Sequence, residues 1–544
     1  MIGRDRRNVI GVVVALVAAS VSVSAVGDAE ARRVGDDGVK PIRWSPCHRD
    51  LGPFECGFVN VPLDHDEPAG ARTQVAMVRL PASNPSERIG SLFINPGGPG
   101  GSGVDVVLFA GQFLFPAPVN EHFDLVGFDP RGVARSAGVR CLPSERRWWD
   151  VFGLPFAFPV TDEEEDLHWQ VLDEVTAECA RGNTRLFEHM STADVARDLD
   201  MMRAAVGDAQ LSYFGVSYGS YLGNTYAQLF PDRVRAMAID AILDPIAFAT
   251  GRPGTQGLPV STRLGSGASA EATLAELFRL CDLAGPAPDP TGPGCLLAGD
   301  GPSAHRFAAL AARLRDEPAV IAHPFTGEIV PFGYSELVSV TLSGLYEAAI
   351  WPLLTLFIAG LDQSLPPAEL GARFAAVHDA TEWSSRRGMP RYPGIEQFSA
   401  VACLDTDNPS DRSAWSDAAD LGDAAGYFTR PWTYATGLCA VWPFESDDRY
   451  QGPWTAETAN PVLIMATTHD PATPYDGALA VADLLPNSHL ITVNGWGHVA
   501  TGTSTCAMVA LVDYLVTQQV PAVDTCSQDY TPFVDPPAPW IFGE

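Results

Sequence analysis

The chain has 544 residues, 46% of them apolar and 19% charged, a globular rather than disordered composition. Its 35 basic against 66 acidic residues leave a formal charge of −31, which argues against nucleic acid or an anionic membrane surface as partner and is read as a solubility feature. At this length one large domain carrying a sizeable insertion, or two domains, is expected.

The amino-terminal residues have the pattern of an export signal. Arg4, Arg6 and Arg7 precede an apolar run from Val9 to Val23, and Val23-Ser24-Ala25 offers a small-residue cleavage site, with a second after Ala31. The run is short and rich in Ala and Ser, so a signal removed within residues 1–31 is favoured over a retained anchor. The expected location is therefore extracellular or in the cell envelope, with no membrane span in the mature chain. Ten cysteines, all beyond the signal, suit an oxidising compartment. Spacing does not determine connectivity, but pairing neighbours along the chain gives Cys47–Cys56, Cys141–Cys179, Cys281–Cys295, Cys403–Cys439 and Cys506–Cys526. No Cys-x-x-Cys occurs, so neither a redox nor a zinc site is indicated, and no metal or organic cofactor is called for.

In chain order, 54–63 and 74–80 read as strands, the second by clear alternation, and Ser91 to Asn95 as a short strand buried on both faces. That strand runs into the glycine-rich stretch Pro96 to Gly103. A further strand spans 123–129. Ser191 to Val206 is an expected amphipathic helix, with Val195, Leu199, Met202 and Val206 on one face and Ser191 and Asp194 as a capping box. Strand 211–214, helix 218–230 and strand 234–239 follow. Strands alternating with helices predict an α/β fold, a mostly parallel sheet covered on both faces. After Asp244-Pro245 the rhythm stops, and helical stretches at 269–283, 304–314, 334–358 and 367–381 point to a mainly helical insertion over 245–455. Strand 461–467, helix 476–485, strand 488–493 and helix 506–518 complete the core, which comprises 32–244 and 456–544.

The chemistry centres on Gly215-Val216-Ser217-Tyr218-Gly219, between a strand and a helix, the setting in which Gly-x-Ser-x-Gly holds a serine at a sharp turn. A serine hydroxyl needs a base, and the base an orienting acid; in this arrangement they follow in the order Ser, Asp, His. Asp470, just past the strand 461–467, and His498, just past 488–493, fall at the same sheet edge as Ser217, where open α/β sheets bind ligands. His469 precedes the acid and is read as structural; Asp476 and Asp483 fall on the following helix and are read as solvated or capping. The expected oxyanion donors are the N–H of Tyr218 and that of Gly98 in the glycine-rich loop. A phosphate-binding loop is excluded there because Gly-x-x-x-x-Gly-Lys-Ser/Thr is absent.

With these residues in view, the chain resembles the secreted tripeptidyl aminopeptidases of the α/β-hydrolase fold, relatives of the prolyl aminopeptidases. The resemblance is carried by Ile42 to Cys47, Glu55-Cys56-Gly57, Val61 to Asp64, Asn95 to Gly103, Asp129-Pro130-Arg131-Gly132 with Ser136, Gly215 to Ser220, Asp470 to Pro474 and Gly495-Trp496-Gly497-His498. It implies a serine exopeptidase that releases short peptides from oligopeptides, with a cap over the site. An enzyme of that kind must bind a free α-ammonium, and Asp405 with Asp407 are the candidate carboxylates. The alternatives are a secreted carboxylesterase or lipase with the same Ser, Asp and His, and, remotely, a non-catalytic envelope protein on a hydrolase scaffold. Oligomeric state is not indicated.

Overall fold

Each long apolar run becomes a strand of one ten-stranded sheet in the computed structural model, which describes residues 39–182, 184–287, 293–299, 301–324, 326–381 and 395–535. The amino-terminal signal pattern lies outside the described residues. The strands are β1 (Ser45–Pro46), β2 (Glu55–Pro62), β3 (Arg72–Leu80), β4 (Gly90–Asn95), β5 (Phe123–Phe128), β6 (Leu211–Val216), β7 (Val234–Asp240), β8 (Ala319–Ala322), β9 (Ile329–Phe332), β10 (Val462–His469), β11 (Ser488–Trp496) and β12 (Thr525–Ser527). Their order in the main sheet is β1-β2-β3-β5-β4-β6-β7-β10-β11-β12. The first three pairings are antiparallel and all the rest parallel.

Burial follows position in the sheet. All six residues of β4 and of β5 are buried, as central parallel strands require, whereas β2 exposes Phe58 and Asn60 on its outer face. Side chains of β4 alternate between two cores. Phe93 joins Leu199, Tyr221 and Leu222 from helices Thr192–Val206 and Tyr218–Leu229. Leu92 and Ile94 instead join Val104, Val107 and Leu511 from helices Gly103–Ala110 and Thr505–Thr517. Ser191 caps its helix by accepting the N–H of Asp194, but the Asp194 carboxylate takes the Ser191 hydroxyl instead of returning to a backbone N–H, so only half of the expected capping box forms. All five expected disulfides are present. The two strands of the main sheet missed in the sequence, β1 and β12, are too short for periodicity; each lies at an edge next to a disulfide, and the short pair β8 and β9 was missed as well.

Between β7 and β10 the chain adds no strand to the main sheet; it forms helices and one antiparallel pair, β8 with β9. The first part of this segment has a core of its own, with Leu277, Phe307, Leu310, Leu337, Trp351 and Phe357 at its centre, whereas Val401, Leu404, Trp415 and Leu438 further along join the core under the main sheet. The single helix expected over 334–358 is broken into Tyr334–Leu345 and Trp351–Asp362, joined by a short turn at Ala348–Ile350. Pro352 lacks the N–H that a continuous helix would use there and is accommodated in the first turn of the second half.

A second helical excursion, not anticipated from the sequence, lies between β5 and β6 and includes Asp162–Arg181. Its start was readable, since Thr161-Asp162-Glu163-Glu164 forms a complete capping box. Trp169 packs edge-on against Trp415 and Tyr434 of the larger segment, and Glu165 accepts from Ser416 Oγ at 2.6 Å and from Arg430 at 3.0 Å. No helix among the described residues is long and apolar enough to cross a membrane.

Candidate active site

At the end of β6 the backbone turns within one residue. Ser217 has φ 58° and ψ −124°, a positive-φ conformation that a non-glycine residue adopts only under constraint. Its N–H donates to the carbonyl of Asp240 at 2.9 Å, and its own carbonyl accepts both the N–H (2.8 Å) and the hydroxyl (2.6 Å) of Ser220. The flanking glycines are sterically required. A Cβ at Gly215 would stand 2.3 Å from the Gly219 carbonyl oxygen, and one at Gly219 would stand 2.6 Å from that of Asn95, on the neighbouring strand.

Two strands further along, Asp470 follows β10 and is 1% exposed. Its carboxylate accepts the N–H groups of Ala472 (2.8 Å) and Thr473 (2.9 Å) and the Thr473 hydroxyl (2.8 Å). Both oxygens also face Nδ1 of His498, at 3.0 and 2.9 Å. A carboxylate fixed by three donors holds the imidazole with Nδ1 protonated, which leaves Nε2 as the free base position. His498 sits in the turn after β11; its N–H donates to the Tyr346 carbonyl at 2.8 Å and its ring meets the Tyr346 ring edge-on, centroids 5.0 Å apart.

Asp240, the last residue of β7, joins the two halves of the site. Its carbonyl holds the Ser217 N–H, and its buried carboxylate accepts the N–H groups of Ala500 and Thr501, just past His498, at 3.0 and 2.7 Å. Burial pulls the His498 pKa down, but the charge and hydrogen bond of Asp470, with Asp240 adding to them, set it above the ordinary histidine value. Burial raises the Asp240 pKa, and the Thr501 and Ala500 donors partly offset this. His469 turns away, 4.0 Å from Glu276.

The glycine-rich loop lies against the same turn. Gly97 and Gly98 both have positive φ, 89° and 107°, and a Cβ on Gly97 would stand 2.9 Å from the Tyr218 backbone nitrogen. Gly97 donates its N–H to Asn95 Oδ1 at 3.0 Å, which anchors the loop to the end of β4. The Tyr218 N–H belongs to the first turn of its helix and so has no acceptor within that helix. Loop and helix start thus bring the backbone of Gly97, the residue before Gly98, against that of Tyr218.

Asp405 and Asp407 are not brought together. Asp405 is buried (1% exposed), where it accepts the N–H of Thr192 at 2.9 Å and the Thr192 hydroxyl, which also meets the Tyr218 hydroxyl. Burial raises its pKa to about 7. Asp407 is paired with Arg449 at 2.6 Å. One is closed off beneath the helix Thr192–Val206, and the other already holds a cation.

Three residues that contribute to the site were not singled out in the sequence: Asp240, Thr473 and Tyr346. An acidic residue ending a strand of uninterrupted apolar burial was the readable signal for Asp240. Among the described residues, one group of potential metal ligands lies close together, Cys47, His48 and Cys56, and its two cysteines are bonded to each other.

A family model described as alpha/beta hydrolase fold matches residues 90–253, and one described as TAP-like protein matches 425–527. The chain is 30% identical to a tripeptidyl aminopeptidase of Streptomyces lividans, over 94% of this chain and 90% of that protein. It is 31% identical to the serine protease Hip1 of Mycobacterium tuberculosis, over 84% of this chain and 85% of the relative. It is also 30% identical to a carboxylesterase B of the same species, over 88% of each. With a sheet that is parallel from β5 onward and similarity along nearly its whole length, the chain belongs to the tripeptidyl aminopeptidase-like family of α/β-hydrolases.

Proposed function

We propose that the protein is an exported serine exopeptidase that releases short peptides from the free amino termini of oligopeptides through an acyl-enzyme. The observation that carries this reading is the Asp470–His498 pair, tied through Asp240 to the backbone of Ser217. Ser217 Oγ attacks the scissile carbonyl carbon as His498 Nε2 takes its proton, and Asp470 stabilises the imidazolium through Nδ1–H. The N–H groups of Tyr218 and Gly98 receive the oxyanion; in comparable sites one such donor is worth roughly 10²–10³ in turnover. Collapse of the tetrahedral intermediate breaks the C–N bond, and His498 returns the proton to the departing amine. Water then attacks the ester with His498 again as base, which frees the peptide acid and Ser217.

In this reading residues 245–455 act as a cap over the sheet edge, and residues 1–31 act as a cleaved export signal consistent with the five disulfides. The test is a tripeptide anilide offered with a free and with an acetylated amino terminus. Preference for the free amine supports the exopeptidase; equal turnover of the two overturns it. Carboxylesterase action is the second reading, favoured by the 30% identity to the carboxylesterase B. Faster turnover of a short acyl ester than of any peptide would establish it.

A further inference from the structure

We infer that Glu347 is the carboxylate that receives the α-ammonium group of the peptide substrate, in the cavity that opens beside His498. The inference rests on the exopeptidase reading and names the subsite that gives it selectivity.

The cavity has a volume of about 970 Å³. Its walls are mainly apolar, with Phe113, Leu342, Pro431 and Trp432 among them, and among the described residues Glu347 is the only charged side chain in its lining. Tyr346, also in the lining, carries the carbonyl and ring that hold His498, and Glu347 itself forms a bridge with the backbone of Gly497. The cavity is therefore joined to the base by one residue, and its charge sits on the next.

The Glu347 side chain opens to solvent. Its carboxylate accepts the N–H of Ala349 at 3.2 Å, and among the described residues no cation contributes to its environment. Confinement by the cavity wall raises its pKa, with the Ala349 bond acting against the shift; a bound ammonium would reverse the shift. Capping the Ala348–Ile350 turn does not account for a glutamate, because Ser, Thr, Asp and Asn fill that role better. Other carboxylates around the site are already engaged. Glu276 holds Arg279 and the Trp496 indole, and Glu271 accepts the N–H groups of Tyr427 and Phe428.

The reach also fits. An extended tripeptide spans about 10 Å, and consecutive Cα atoms are about 3.8 Å apart. In the proposed pose the third carbonyl lies at Ser217 and the ammonium at Glu347, with the peptide side chains against the apolar wall. An acetylated amino terminus offers the carboxylate no charge to pair with, and that lost pairing is the selectivity the subsite would confer.

The experiment measures kcat and KM of the full chain and of E347Q and E347D for a free and an N-acetylated tripeptide anilide. Labelling by a fluorophosphonate reports that Ser217 is intact in each variant. The wild type is expected to prefer the free amine. E347Q is expected to raise KM for the free peptide by roughly 10–100-fold, the worth of a hydrogen bond to a charged group, and to bring the two peptides together, while E347D keeps part of the preference. A wild-type preference that E347Q retains in full overturns the assignment alone. A wild type without preference overturns both the assignment and the exopeptidase reading.

Discussion

Ser217 and Tyr346 owe their positions to different kinds of structure. At the sheet edge, placement comes from the backbone: strand ends in fixed register, a positive-φ serine, glycines that permit close approach, and Asp240 bonded on both sides. Part of the helical segment 245–455 has its own core, while Val401, Leu404, Trp415 and Leu438 join the core of the main sheet, and the segment also reaches the edge directly. Tyr346 and Glu347 meet His498 and Gly497, while Ser266 and Ser269 donate to the carbonyls of Ala472 and Asp470 at 2.7 and 2.6 Å. A site divided this way can change the cavity without disturbing the nucleophile. In the proposed mechanism bond-breaking chemistry belongs to the edge and choice of substrate to the helices.

The largest effect that tests this division is at the edge. Ser217→Ala should lower turnover by about 10⁴–10⁶ with the thermal unfolding midpoint little changed; residual hydrolysis near the wild-type rate would remove Ser217 from the mechanism. Asp470→Asn comes next, with a loss of about 10⁴ in kcat if the amide flips the imidazole tautomer. It also carries a pH signature. The base must be neutral, so activity falls as pH drops through the raised His498 pKa, and removing the Asp470 charge should move that acid limb to lower pH. A limb that stays in place would mean another group titrates.

On the helical side, replacing Cys403 and Cys439 by Ser should cost about 3–4 kcal/mol of stability, the chain-entropy value for a separation of 36 residues. If the two regions are separable, selectivity between peptides should decay on heating before fluorophosphonate labelling does. Simultaneous loss would show that they unfold as one.

The smallest effect concerns the joint between the regions. Asp405 lies on helix Ile395–Asp405 but bonds to Thr192. Its folded pKa of about 7 lies above the ordinary 3.8. The folded state therefore binds more protons between these values, and stability is lost as pH rises through about 4 to 7. Asp405→Asn removes that loss, so its unfolding midpoint relative to wild type should rise as pH goes from about 4 to about 7. A constant difference across the range would place Asp405 outside the titration.

The core was legible because central strands are buried on both faces and write themselves as apolar runs, and because the chain order of Ser217, Asp470 and His498 narrows the choice of partners. Helical content was legible in the larger segment, but its function was not. Leu345 and Trp351 belong to equally apolar helices, so nothing in their periodicity marks the break that brings Tyr346 to His498. Asp405 and Asp407 look like a solvated pair in sequence, yet helix register buries the first and turns the second toward Arg449. Asp240 escaped notice because its role lies in bonding to two loops at once, which only the strand order β6-β7-β10-β11 creates.

The five disulfides never cross, and each joins cysteines separated by 9 to 38 residues. A chain emerging amino end first can close each bridge before the next pair of thiols appears, so oxidative maturation proceeds in sequence without reshuffling. Catalysis obeys the opposite timing. Ser217 arrives early, whereas its base waits for β11, the last long strand to emerge. If Ser217 and His498 have the proposed roles, four of the five bridges can close before the nascent chain can cut anything.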